Sequence, residues 1–172
     1  MTVNDPSSEH KAHAPKTTRF AILTASDSRG PDSDGSGDTI EGLAREAGHE
    51  VVDRTLVRDE LIVITAAVKR LLADPNVDLI VTTGGTGVAP RDVTIEAIEP
   101  LFERALPGFG ELFRALSYRE VGSAAMLSRA AAGIVQGKPV FLLPGSPDAC
   151  RLAMEKLILP ETGHLLSLVR RS

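Results

Sequence analysis

Tryptophan is absent from this 172-residue chain, tyrosine occurs once and phenylalanine five times. With aromatic residues at 3%, it lacks the stacking platforms that hold single-stranded nucleic acid, and its core has to be mainly aliphatic. Cysteine occurs once, at Cys150, which excludes an internal disulfide and any cysteine-rich metal site and agrees with a reducing compartment; a cytoplasmic location is expected. No uninterrupted apolar run reaches the roughly 18 residues needed to cross a bilayer, and the N-terminus is polar where a signal peptide carries its apolar segment. Charge of one sign is not in large excess either: 19 basic and 23 acidic residues leave a net charge of −4. Without a global cationic field to gather nucleic acid or anionic lipid, an anionic ligand has to be caught locally.

What is present suffices for one domain, since 42% of the residues are hydrophobic and the length suits a single core. Residues 1–17 carry Pro6, Pro15 and several charges but almost no large apolar side chains, so they are expected to form a flexible tail ahead of a domain over residues 18–172. His10 and His13 belong to that tail and are read as solvated. From Arg19, the run Phe20-Ala21-Ile22-Leu23-Thr24-Ala25 suits a strand covered on both faces of a parallel sheet. Residues 26–37 have loop composition. A helix follows with Ile40, Leu43, Ala44 and Ala47 on one face and Gly48 at its C-terminal cap. Val51, Val52, Leu56 and Val57 mark a second strand, and Leu61, Ile64, Val68, Leu71 and Leu72 a second helix. Leu79, Ile80 and Val81 give a third strand that empties into a glycine-rich loop over residues 82–92.

Further on, Phe109, Leu112, Phe113 and Leu116 repeat at helical spacing, and residues 134–143 read as two short strands turning at Gln136 and Gly137. Cys150, Ala153, Met154, Leu157 and Ile158 share one face of another helix, which places Cys150 as a small buried hydrophobe. A last helix is expected over residues 161–170. Strands alternating with helices predict right-handed βαβ crossovers: an α/β fold, a mainly parallel sheet covered on both faces. Ligands of such sheets bind beyond the carboxyl ends of the strands, where residues 26–37, 58–60 and 82–92 all lie.

The segment Thr82-Thr83-Gly84-Gly85-Thr86-Gly87 lets the backbone turn tightly and bring N–H groups to an anion such as phosphate. It is neither a Walker loop nor a dinucleotide fingerprint, because the closing Gly-Lys-Ser/Thr and the required glycine spacing are missing. Asp92, followed by a short helical start, serves either as an N-cap or as a carboxylate near that anion, and in the second role it needs a cation between them. Asp59, directly before its helix, poses the same choice. At one end of a parallel sheet the two could hold a metal that bridges phosphate oxygens. Ser26 and Asp27 after the first strand, and Ser36, Gly37 and Asp38 at the end of the first loop, are further candidates; loop solvation explains them equally well.

Residues 82–97, TTGGTGVAPRDVTIEA, resemble the signature of the MoaB/Mog family of molybdenum-cofactor biosynthesis proteins. Residues 21–28 (AILTASDS), 107–117 (PGFGELFRALS) and 141–147 (FLLPGSP) resemble other segments of that family in the same order, so that the likeness spans about residues 19–159. The resemblance implies a three-layer α/β/α molybdopterin-binding fold assembling as trimers or hexamers. It implies an activity, the use of Mg²⁺ and ATP to adenylylate the molybdopterin phosphate with release of pyrophosphate. Two aspartates essential in active members match Asp59 and Asp92. By the same resemblance Thr83, Gly84, Gly85, Thr86, Gly87, Ser128, Arg129, Pro144, Gly145 and Ser146 line the pocket, although Gly145 and Ser146 also suit a simple strand-to-helix turn. A non-catalytic molybdopterin-binding relative and a nucleotide pyrophosphatase of the competence-damage type are the alternative readings.

Overall fold

A computed structural model describes residues 17–28 and 30–170. The tail expected over residues 1–17, with His10 and His13, lies outside the described residues except for Thr17. The apolar run after Thr18 forms β1 (Arg19–Ala25), and its alternation feeds two cores. Phe20 and Ile22 pack into one cluster, while Ala21, Leu23 and Ala25 pack into the other. A strand with apolar residues on both faces requires cover on both sides, and here helices supply it.

After β1 come a 3-10 turn (Pro31–Ser33) and α1 (Gly35–Glu46). The helix starts earlier than the loop composition suggests, because Asp34 caps it. Gly48 adopts φ +84° at its far end, as expected of a left-handed cap. β2 (Glu50–Val57) follows, then α2 (Leu61–Ala73) and β3 (Leu79–Thr83). Beyond the glycine loop come the short α3 (Thr94–Ile98), β4 (Arg104–Ala105) and α4 (Pro107–Val121). Phe109 and Phe113 of α4 are buried, but Leu112, expected on the same stripe, is exposed. β5 (Ala131–Val135) and β6 (Lys138–Leu143) form the expected hairpin, with Gln136 and Gly137 at φ +50° and +71°, the positive values that a two-residue turn matching strand twist requires.

The chain ends in α5 (Pro147–Ala153), a π turn (Met154–Ile158) and α6 (Leu159–Val169), which run on without a break. Pro160 has no N–H for an α-helical bond, and the π turn precedes it. The expected last helix is thus the continuation of the one before.

The strands lie in the order β2-β1-β3-β6-β5-β4. β2, β1, β3 and β6 are mutually parallel, and β5 and β4 continue the sheet antiparallel. On one face α1, α4 and α5 cover Phe20, Ile22, Leu79, Val81, Phe141 and Leu143. On the other, α2 and α3 cover Leu23, Ile80, Val140 and Leu142. The three-layer expectation therefore holds. No helix among the described residues is long and apolar enough to cross a membrane.

Candidate functional site

The carboxyl ends of β1, β2, β3 and β6 meet at the glycine loop. Thr83 is fully buried; its hydroxyl donates to Pro144 O at 2.9 Å and lies 3.3 Å from Cys150 Sγ. Cys150 is therefore an interior group that ties β3 to the start of α5. Gly84 and Gly85 adopt φ +94° and +64°. A Cβ on Gly84 would stand 2.1 Å from Ala25 O, and one on Gly85 2.4 Å from Thr94 Oγ1 and 3.1 Å from Asp59 Oδ1. Glycine is needed at both positions for conformation and for space. Gly84 N–H donates to Leu143 O at 3.1 Å, so this amide is already engaged by the sheet. Thr94 closes the loop by donating its hydroxyl to Gly84 O at 2.8 Å and its N–H to Gly85 O at 3.0 Å.

Three aspartates converge on this loop. Asp59 does not cap α2: Glu60 occupies the N-cap position and makes no side-chain cap bond. Asp59 Oδ2 instead accepts from Asp27 N–H at 3.1 Å, while Asp27 Oδ1 accepts from Asp59 N–H at 3.2 Å. The other oxygen, Asp59 Oδ1, is buried without a hydrogen-bond partner. Burial holds the Asp59 carboxyl above its ordinary range; Asp27 and Asp92 push the same way by repulsion, against the Asp27 amide and Arg91. Asp92 does not cap its helix either, since Val93 takes that position. Its Oδ2 accepts from Ala89 N–H at 2.8 Å, and its own N–H donates to Ala89 O at 2.9 Å. That carboxylate lies 2.7 Å from where a Gly87 Cβ would stand. Arg91 pairs with Asp27 and brings a positive charge to the rim. Among the described residues, no group of three or more His, Cys, Asp or Glu side chains could hold a metal by itself. Mg²⁺ needs only one or two carboxylates and completes its shell with water and phosphate oxygens, and the Asp59 Oδ1 atom has no competing hydrogen bond.

Ser36, Gly37 and Asp38 belong to the first turn of α1 and are turned toward a residue that sequence reasoning missed. Asp34 is 2% exposed and accepts from Gly37 N–H at 3.0 Å, Ser36 Oγ at 3.3 Å, Thr24 Oγ1 at 2.7 Å and Arg54 Nη2 at 3.1 Å. Burial alone would raise its carboxyl, but the bonds from Thr24, Gly37 and Arg54 outweigh that and hold it low. Asp38 pairs with the same arginine at 2.6 Å. An aspartate directly ahead of Gly-Ser-Gly was the available cap signal.

Ser26 N–H donates to Val57 O at 2.9 Å, holding the rim beside Asp27. On the far side Ser128, Pro144 and Ser146 line a recess of about 250 Å³ with Ser117 and Asp148. Ser146 Oγ accepts from Ala149 N–H at 3.2 Å, the cap of a strand-to-helix turn. The carboxylates open onto two other recesses, one of about 300 Å³ with Asp59 and Arg91 and one of about 390 Å³ with Asp92, Glu96 and Arg129.

A family described as "Probable molybdopterin binding domain" matches residues 21–164. Molybdenum cofactor biosynthesis protein B of Bacillus subtilis is 47% identical over 164 residues, covering 95% of this chain and 96% of that protein. A crystal structure of a molybdenum cofactor biosynthesis protein B superposes with a TM-score of 0.89 at 48% identity, covering 92% of this chain and 99% of the other. The tungsten cofactor synthesizing protein MoaB of Pyrococcus furiosus gives a TM-score of 0.79 at 42% identity, covering 92% of this chain and all (100%) of that one.

Proposed function

The chain belongs to the molybdopterin-binding MoaB/Mog family of molybdenum-cofactor biosynthesis proteins, and from that premise we propose that it transfers the adenylyl group of ATP to the molybdopterin phosphate. In this reaction an oxygen of the pterin phosphate attacks the α-phosphorus of ATP, the bond to the β-phosphate oxygen breaks, and pyrophosphate leaves. The observation that carries the reading is the Asp59 carboxylate: one oxygen is buried and unpartnered beside Gly85, and its charge is disfavoured by burial and by Asp27 and Asp92. A carboxylate held in that condition is a place for a cation.

The chain's own groups have definable parts. Asp59 and Asp92 would hold Mg²⁺, which when bound offsets the repulsion between two phosphates. Asp27 orients Asp59 through their reciprocal amide bonds. The turn at Gly85–Gly87 offers backbone N–H groups to a phosphate, and the recess at Ser128, Pro144 and Ser146 offers hydroxyls to the polar edge of a pterin or nucleoside. Family resemblance supports trimers or hexamers, for which exposed Leu112, Tyr118, Val121 and Met126 supply apolar surface, and a cytoplasmic location.

The test is pyrophosphate release and adenylyl-molybdopterin formation with Mg·ATP and molybdopterin, comparing the native chain with Asp59→Ala and Asp92→Ala. Turnover in the native chain and its loss in both folded variants is expected. Bound molybdopterin without native turnover overturns the enzyme reading in favour of a non-catalytic binder, and release of AMP from a nucleotide sugar without pterin overturns it in favour of a pyrophosphatase.

A further inference from the structure

Arg129 sits in the short link between α4 and β5, remote in sequence from the glycine loop, yet it touches that loop at both ends. Its N–H donates to Thr86 O at 3.2 Å and its Nε to Gly87 O at 2.8 Å. Its Nη2 donates to Asp92 O at 2.8 Å, and the guanidinium also pairs with the Glu96 carboxylate in the first turn of α3. That pair holds the Glu96 carboxyl below its usual range. Segment 86–92, which carries the Asp92 carboxylate, is thus fastened where it leaves β3 and where it enters α3.

The link is itself secured from behind. Arg114 of α4 donates through Nη1 to Ser128 O at 3.4 Å and to Ala130 O at 3.2 Å, the carbonyls on either side of Arg129. Gly110, one turn earlier, leaves the room for this: a Cβ there would lie 2.6 Å from Ala130 O and 2.9 Å from Arg114 Nη2. Helix α4, Arg114, the 128–130 link, Arg129 and Asp92 form one connected path.

We propose that Arg129 is a positioning residue: rather than gripping an anionic substrate, it fixes the 86–92 loop so that Asp92 is aimed at the site, with Arg114 fixing Arg129 in turn. This rests on the adenylyl-transfer reading only for its effect on turnover. The guanidinium fork is what the task needs, since its donors are spread in a rigid plane, whereas a lysine ammonium is a single point at the end of a flexible stem.

The experiment is amide hydrogen exchange on the free chain, native against Arg129→Lys and Arg114→Lys, followed by kinetics with Mg·ATP and molybdopterin. In Arg129→Lys the amides of Ala89 and Asp92, which are bonded across the loop, should exchange at least about tenfold faster while those of β3 do not change. Arg114→Lys, which touches no atom of the loop, should give the same pattern more weakly. In the kinetic arm kcat should fall about a hundredfold, as for a misplacement near 1 Å, with molybdopterin binding retained. Loss of molybdopterin or ATP binding with unaltered loop exchange would make Arg129 a ligand contact and overturn the proposal. Faster exchange spread evenly through β1 and β3 would overturn it as well, reducing Arg129 to a general stabiliser. If the native chain shows no turnover, the reaction falls but the exchange comparison still decides the positioning role.

Discussion

Replacing Gly84 with alanine separates two penalties that usually come together. The residue adopts φ +94°, which costs an L-residue about 1–2 kcal/mol. Its new methyl would also stand 2.1 Å from Ala25 O, and that oxygen belongs to the backbone of β1, which is held in register by β2 and β3. Overpacking of this kind costs a further ~1–3 kcal/mol, and displacing the loop weakens the Thr94 hydroxyl bond to Gly84 O, worth about 1 kcal/mol. The sum is roughly 3–6 kcal/mol. For a domain of this size each kcal/mol lowers the melting temperature by about 2–4 °C, so a drop on the order of 10 °C is expected. Gly48→Ala is the control: it has φ +84° but nothing within 4 Å of the added methyl. It should lose about 1–2 kcal/mol, roughly a third as much. Thermal melts followed by circular dichroism, with urea midpoints at constant slope as a check, measure both. Equal losses in the two variants would refute the claim that close approach to β1, and not backbone conformation alone, requires glycine at position 84.

Asp59→Asn should melt higher than the native chain at pH 7, because the folded-state carboxyl is raised above its ordinary value. A raised group stabilises fully only below its unfolded pKa and loses that contribution as pH rises through the folded one, so the advantage of the asparagine should vanish in acid, below about pH 4; a pH-independent difference would refute it. Asp34→Ala should cost about 2–4 kcal/mol, combining a lost N-cap with a buried Thr24 hydroxyl left unpaired, and Thr24→Val added to it should recover part of that loss in urea titrations. The Asp34 carboxyl is held low, so its contribution is present above the unfolded pKa and is lost as pH falls through the folded one; the gap between native and Asp34→Ala should therefore narrow in acid.

Much of the fold was legible because its signals were physical requirements. Phe20 to Ala25 and Leu79 to Val81 are apolar on both faces, which only a covered parallel strand tolerates, and Gln136-Gly137 has the turn chemistry its hairpin uses. β4, with two residues, is too short to leave a pattern. The π turn left none either, because Cys150, Ala153, Met154 and Leu157 keep an apolar helical face through it. Leu112 was misplaced because helical spacing does not say where a stripe ends. The convergence of Asp27, Asp59 and Asp92 followed from parallel strand order alone, but the Arg129 clasp joins positions 37 to 43 residues apart through backbone carbonyls, and no side-chain pattern records such acceptors.

The two carboxylates also show how local rules yield at a site. Asp59 and Asp92 each stand one residue ahead of an N-cap position, held by Glu60 and Val93, and neither of those residues makes a side-chain cap bond. A shift of either aspartate by one residue toward its helix would gain a cap worth about 1 kcal/mol. Both helices forgo it, and the aspartates lie against the glycine loop, Asp59 beside Gly85 and Asp92 beside Gly87, where burial and then repulsion raise Asp59 and one of its oxygens goes without a partner. Elsewhere the same device is used in full: Asp34 and Ser146 cap α1 and α5 through their side chains. Leu106 ahead of α4 makes no cap bond either, so a missing cap does not by itself mark a site; what sets these two aspartates apart is that their carboxylates are turned into the loop and its rim, Asp59 accepting from the Asp27 amide and Asp92 from the Ala89 amide, instead of into the helices they precede.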